Sequence, residues 1–154
     1  MGLPLRSEGN GREDEMNERN RASIETGNPE RELFHLKTCG EIKRREFSLT
    51  AMREAGEEGG LLLARMKAEG PDDLHADQWE IHPEGDEFIH VLEGEVALIL
   101  EGAADGVTLT AGDAAIVPRG RWHRFDWMGP VALLFVTPPG GTELRDVAAS
   151  GDDR

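Results

Sequence analysis

The chain is predicted to be all-β, and three observations carry that expectation. From residue 61 onward, short apolar segments recur between turn residues: LLLARMK, DQWEIH, EFIHVLEG, EVALILEG, VTLTAG, AAIVPRG, WHRFDW and VALLFVTPP. Gly, Pro or Asp stands between most of them, which is the punctuation of strands joined by tight turns. No helical period survives beyond residue 60, and the chain has neither a repeat of roughly 20–50 residues nor a glycine-rich phosphate loop. That rhythm indicates an antiparallel sandwich or barrel.

A length of 154 residues suits one domain with a real core. The formal charge of −14 repels nucleic acid and anionic membrane alike, so neither is an expected partner. A neutral, cationic or locally captured small molecule fits better. Cys39 is the single cysteine, which excludes an internal disulfide and is read as a small buried or inert thiol. The first residues, MGLPLRSEGNGREDEMNERN, contain no apolar run of signal-peptide or membrane-spanning length, so a cytoplasmic location is expected.

Composition divides the chain. Residues 1–31 are rich in Glu, Arg, Asn and Gly and bury too little apolar surface to offset the entropy of ordering, so a disordered polar tail is expected. Residues 32–60 form an N-terminal arm that packs on the barrel or on a partner. Within it, ELFHLKT and REFSL alternate like short strands, and SLTAMREAGEEGG reads as a Ser-capped helical turn ended by glycine. Residues 61–145 are the barrel, and 146–154 a flexible C-terminal tail. Gly94, between EFIHVLE and EVALIL, supplies positive φ for an expected hairpin. His35 and His75 lie in weakly patterned segments and are expected at the surface.

The stretch WEIHPEGDEFIHVLEGE carries the chemistry. Residues two apart on a strand share a face, so Glu80 and His82 project together while Trp79 and Ile81 take the other side. A turn through Pro83, Glu84 and Gly85 returns Glu87 on a neighbouring strand. Downstream, in GDAAIVPRGRWHRF, the Pro118-Arg119-Gly120 turn aims His123 back across the barrel. Along EFIHV, Phe88 and His90 point away from the face of Glu87, so His90 is excluded from the site. If Glu80 and Glu87 approach to about 4 Å, their repulsion is on the order of 4 kcal/mol at an effective dielectric near 20. Either a cation neutralises it or one carboxyl keeps its proton.

Two spacings resemble the cupin family. Its first motif is His, any residue, His, three or four residues, Glu, six residues, Gly; here Glu80, His82, Glu87 and Gly94 stand at those positions. Its second is Gly, five residues, Pro, any residue, Gly, two residues, His, three residues, Asn; here Gly112, Pro118, Gly120 and His123 match. Glu80 replaces the first histidine, Leu74 the glycine that opens the first motif, and Trp127 the closing Asn. The resemblance covers residues 61–139 and implies a double-stranded β-helix, a jelly-roll-like barrel that often holds a divalent metal at its mouth. Two imidazoles and two carboxylates suit Mn, Fe, Ni or Zn, with Glu80, His82, Glu87 and His123 as the ligand set. Small cupins commonly pair, which together with the strand-like arm makes a homodimer the expectation.

Arg121, Phe125 and Trp127 share the parity of His123; Arg121 either fixes an anionic substrate group or pairs with surface Asp and Glu. No separate base, nucleophile or oxyanion device is recognisable, so no catalytic residue is assigned. Two readings follow: a metal site acting, like a dioxygenase or an isomerase, on a small oxygenated metabolite, or a metal-free barrel that binds or senses one.

Overall fold

Strands that alternate large apolar and polar side chains must hide one face, and here two sheets hide theirs against each other. The computed structural model describes residues 24–147. Strands β1 (Glu32–Leu36) and β2 (Ile42–Glu46) lead into helix α1 (Leu49–Glu58), β3 (Leu61–Ala68) and a 3-10 turn (Pro71–Leu74). Then follow β4 (Gln78–Ile81), β5 (Glu87–Glu93), β6 (Glu95–Leu100), β7 (Val107–Thr110) and β8 (Ala114–Val117). The last strands are β9 (His123–Trp127), β10 (Val131–Thr137) and β11 (Glu143–Asp146). One sheet runs β2-β1-β3-β10-β5-β8 and the other β11-β4-β9-β6-β7, with every pairing antiparallel. The expected all-β architecture is present.

The core lies between the sheets. Ile89 and Val91 of β5, Val96 and Leu98 of β6, Phe125 of β9 and Leu133 of β10 are all buried in one cluster. Each such side chain contributes roughly 1.5–3 kcal/mol through its removal from water. Leu74, at the family's glycine position, ends the 3-10 turn and is buried in this same cluster, so the departure is filled by packing.

The arm joins its own sheet. β1 pairs with both β2 and β3, and β2 starts at Ile42, earlier than the REFSL segment expected to form it. The Ser48 hydroxyl caps α1 by accepting the Ala51 N–H at 3.1 Å, and Gly59 ends it at φ 73°. His35 is not at the surface. It shares the inward face of β1 with Leu33 and is fully buried, donating Nε2–H to the Gly59 carbonyl at 2.6 Å and accepting from Arg45 Nε at 3.2 Å. Both ring nitrogens are satisfied, which is why burial there is tolerable. Conversely, Cys39 sits in the β1–β2 turn and is exposed.

Gly94 has the expected positive φ, 79°, but for another reason. β5 and β6 belong to different sheets, so residues 92–95 form a corner between sheets rather than a hairpin. A Cβ at Gly94 would lie 2.2 Å from the Pro130 carbonyl oxygen, a close approach that only glycine permits. Of the two expected tails, residues 1–23 and 148–154 lie outside the described residues. Pro29 O accepts Arg65 N–H at 2.8 Å, and Glu30 pairs with Arg65 at 3.2 Å, so residues 29 and 30 run beside β3. Among the described residues, no helix is long and apolar enough to cross a membrane.

Candidate metal centre

Two turns clasp each other and thereby set the site. Gly120 N–H donates to the His82 carbonyl at 2.9 Å. Arg119 donates its backbone N–H to Asp86 Oδ1 at 2.7 Å and its Nε–H to the Pro83 carbonyl at 2.7 Å. The Pro118-Arg119-Gly120 turn, with Gly120 at φ 70°, is thus stitched to the Pro83–Asp86 turn. The fixed spacings of the two motifs have a physical purpose: each turn holds the histidine beside the other.

Glu80 and His123 are direct cross-strand partners on β4 and β9, so His123 arrives from the adjacent strand rather than from across the barrel. Glu87 does the crossing. β5 lies in the opposite sheet, and Glu87 Oε2 comes within 3.0 Å of His123 Nε2 and 3.4 Å of His82 Nε2. Glu80 Oε1 stands 3.6 Å from the same His82 nitrogen. Ligand atoms of Glu80, His82 and His123 all fall within 4.8 Å of one another. His82, Glu87 and His123 are buried.

The residues around them orient the rings. His123 donates Nδ1–H to the Arg121 carbonyl at 3.2 Å and Nε2–H to Glu87. His82 Nδ1 is hydrogen-bonded to Thr142 Oγ1 at 2.9 Å, which leaves Nε2 buried with no hydrogen-bond partner. Thr137 donates to Glu87 Oε1 at 2.7 Å. Such outer partners fix which nitrogen of each ring faces the centre. Sequence reading missed Thr137 and Thr142. Thr137 was within reach, since it keeps the inward parity of Leu133 and Phe135; Thr142 follows Gly140-Gly141, and no period foretells its direction.

The charges are unequal. Burial and then the negative charge of Glu87 push the Glu80 carboxyl up, the direction the repulsion argument requires. Burial also works against ionisation of Glu87, but the hydrogen bond from His123 and the nearby His82 ring outweigh it and hold the group down to about 2. Burial lowers His123, yet its bond to Glu87 wins and the ring is raised. The centre is an imidazolium–carboxylate pair with a second, strained carboxyl beside it.

An apolar cavity of about 610 Å³ adjoins the cluster, with Glu80, Glu87, Thr137 and Thr142 in its wall. Phe125 lines it; Arg121 and Trp127 do not. Arg121 is exposed and donates to the Glu101 carbonyl at 3.4 Å, while Trp127 packs against the barrel core. The neighbouring Arg124 pairs with Asp126 at 2.6 Å and lies over the Trp79 ring. His75 is exposed, as expected, at the cavity's edge. His90 points outward from β5 and is hydrogen-bonded to the Asp113 carbonyl at 3.0 Å.

Two antiparallel sheets enclosing a histidine–carboxylate cluster define a double-stranded β-helix. Residues 71–137 match the family model described as the cupin domain. Among solved structures, it is similar to a cupin-2 domain containing protein from Shewanella frigidimarina, at 22% identity, TM-score 0.42, covering 51% of this chain and 70% of that one. A protein with a double-stranded β-helix domain from Klebsiella pneumoniae matches at 24% identity, TM-score 0.45, over 56% of this chain and 75% of that one. Hydroquinone 1,2-dioxygenase from Sphingomonas sp. TTNP3 matches at 21% identity, TM-score 0.40, over 53% and 60%. No curated protein matches the chain.

Proposed function

We propose that Glu80, His82, Glu87 and His123 hold a divalent ion, Mn, Fe, Ni or Zn, and that the site binds and acts on a small oxygenated metabolite in the cytoplasm. The observation that carries this reading is His82 Nε2: a buried ring nitrogen without a hydrogen bond, aimed at two carboxylates and a second imidazole. A buried polar atom left unpaired costs about 1–3 kcal/mol, and a cation at that point would remove the cost while neutralising Glu80 and Glu87. When bound, the ion supplies Lewis-acid polarisation of a ligand oxygen and, for Fe or Mn, redox capacity.

The chain's own groups have separable tasks. Thr142 and the Arg121 carbonyl hold the imidazoles with Nε2 inward. Thr137 steadies Glu87. Glu80 is only half-buried and faces the cavity, and its raised affinity for a proton suits it to exchange one with a bound ligand. The second reading, a metal-free binding barrel, is favoured by the completed hydrogen bonds of Glu87 to His123 and Thr137. Mass spectrometry of protein purified without chelator, followed by thermal unfolding after soaking with Mn, Fe, Ni and Zn, separates the two. Near-stoichiometric metal and a raised melting temperature are expected; no bound metal and no shift would leave the metal-free barrel.

A homodimer is part of the same reading, supported by the outer face of the six-stranded sheet. Phe34, Leu63, Val136, Phe88 and Ile116 are consecutive cross-strand partners over β1, β3, β10, β5 and β8, on the face opposite Leu33, Leu62 and Ile89. Ile116 is 66% exposed and Phe88 37%. Five strands spaced about 4.8 Å apart make a face on the order of 20 by 20 Å, about half of the ~800 Å² that each partner buries in a standard interface. Polar flanks would supply the rest. A Phe88→Glu, Ile116→Glu double variant should sediment as a monomer where the parent is a dimer, and removal of residues 1–23 should leave the dimer intact. A parent monomer would refute the pairing, and dissociation on removing 1–23 would assign the cover of this face to that segment.

A further inference from the structure

We propose that the cavity beside the cluster takes a ligand with one oxygen-bearing head, set against Glu80 and Glu87, and an uncharged apolar body selected by a wall that the N-terminal arm builds. This deepens the reading of the same site, and only the head depends on it.

The cavity, about 610 Å³, is within the range that encloses a small organic molecule. Its lining combines the cluster with a large apolar wall. Glu80, Glu87, Thr137 and Thr142 belong to the cluster just described, whereas much of the remaining wall is Leu33, Phe47 and Met52 from the arm with Leu62, Phe125 and Phe135 from the barrel. Arg65 and Lys67 stand at the edge of the cavity, but both are engaged: Arg65 by Glu30 at 3.2 Å and Glu93 at 3.6 Å, and Lys67 by Glu30 at 3.8 Å. Glu30 and His75 are further ionisable groups in the lining. The cation expected to fix an anionic substrate, Arg121, is elsewhere. A phosphate or carboxylate on the body of the ligand, or a ring of sugar hydroxyls, would lose its hydration against leucine, methionine and phenylalanine.

The arm supplies Leu33, Phe47 and Met52 of the apolar wall. It precedes residues 71–137, the stretch matched as a cupin domain, so these three wall residues lie outside that stretch. It is also rigidly tied to the site. A Cβ at Gly56 of α1 would lie 3.4 Å from the Pro139 carbonyl and from the Gly140 backbone, in the segment that presents Thr142 to His82. Met52 therefore faces the cavity from a helix seated against the loop that orients a ring of the cluster.

The probes are catechols sharing one head: 4-methyl-, 4-propyl- and 4-pentylcatechol, and 3,4-dihydroxybenzenesulfonate as the charged counterpart. Titration calorimetry is run on metal-free protein and on protein loaded with redox-inert Zn²⁺. Affinity should rise about fourfold per added methylene in both forms, with the sulfonate at least about tenfold weaker than the methyl compound. Phe47→Ala, at a half-exposed position that leaves the fold intact by circular dichroism, should flatten the series, and Met52→Arg should bind the sulfonate more tightly than the parent does. A flat series in the parent, or a sulfonate that binds as tightly as 4-methylcatechol, overturns the proposal. Methylene increments that persist on metal-free protein, with no added affinity from Zn²⁺, uphold the apolar wall and overturn the metal reading instead.

Discussion

Replacing His123 with alanine lowers metal affinity at least about tenfold, roughly 1.4 kcal/mol, while His90→Ala leaves it nearly unchanged. Both residues sit on strands of the same barrel, but their surroundings differ. His123 is fully buried, lies beside Glu80 through the β4–β9 register, and touches Glu87 at 3.0 Å. Its Nδ1–H is committed to the Arg121 carbonyl, so Nε2 is the atom the ring can offer. His90 lies on the outward parity of β5, stacked beside Phe88 with 6.5 Å between ring centroids, and bonds a loop carbonyl. The variants are compared by competition with a chromogenic chelator, with circular dichroism confirming that each is folded. Equal losses in the two would remove the cluster from the role of metal centre. No loss in either would return it to an internal hydrogen-bond network.

That contrast was legible in the sequence because parity is local. Glu87, Ile89 and Val91 alternate with Phe88 and His90, and burial on β5 follows the alternation residue by residue. The four-residue cluster was legible for the same reason, reinforced by two turns whose Pro and Gly residues mark their places. What parity does not carry is which strand pairs with which. Glu87 was expected on a strand adjacent to Glu80 and His123 across the barrel, and the two exchange places because residues 82–86 cross between sheets. The same blindness turned the corner at Gly94 into an expected hairpin. Arg121 shared the parity of His123 on paper, yet it precedes β9, where alternation no longer applies, and its side chain turns to solvent. His35 was the reverse case: its segment looked weakly patterned, but pairing with β3 and the cover of α1 bury it. Burial of that kind comes from contacts between distant segments, which a local reading does not contain.

The stability that a divalent ion confers should grow as pH rises, and Glu80→Gln should weaken that dependence from both ends. The signs follow from three groups. Glu87 is held down to about 2 in the folded protein, so its contribution is present above its unfolded value near 4.5 and is lost as pH falls toward 2. Glu80 is raised: the fold favours its protonated form, so its contribution is full below about 4.5 and is lost as pH climbs through the raised value. His123 is raised as well; its contribution is full below about 6.5 and is lost as the imidazolium gives up its proton. Metal-free protein is therefore stabilised as pH rises from about 2 to 4.5 and loses stability again as Glu80 and His123 release their protons. A divalent ion replaces those protons. It needs Glu80 ionised and His123 Nε2 bare, so binding releases protons and tightens with pH. At a hundred times its dissociation constant the ion adds about 2.7 kcal/mol, which for a chain of this size raises the melting temperature by roughly 5–10 °C. In Glu80→Gln the carboxyl that resists ionisation is gone, so the metal-free variant should melt higher than the parent at pH 8, while its metal-induced shift should be smaller. Calorimetric scans from pH 5 to pH 8, with and without metal, read both quantities. A variant less stable than the parent without metal, or a metal shift that is independent of pH, would show that Glu80 and Glu87 do not burden one another and that no ion exchanges for the proton of His123.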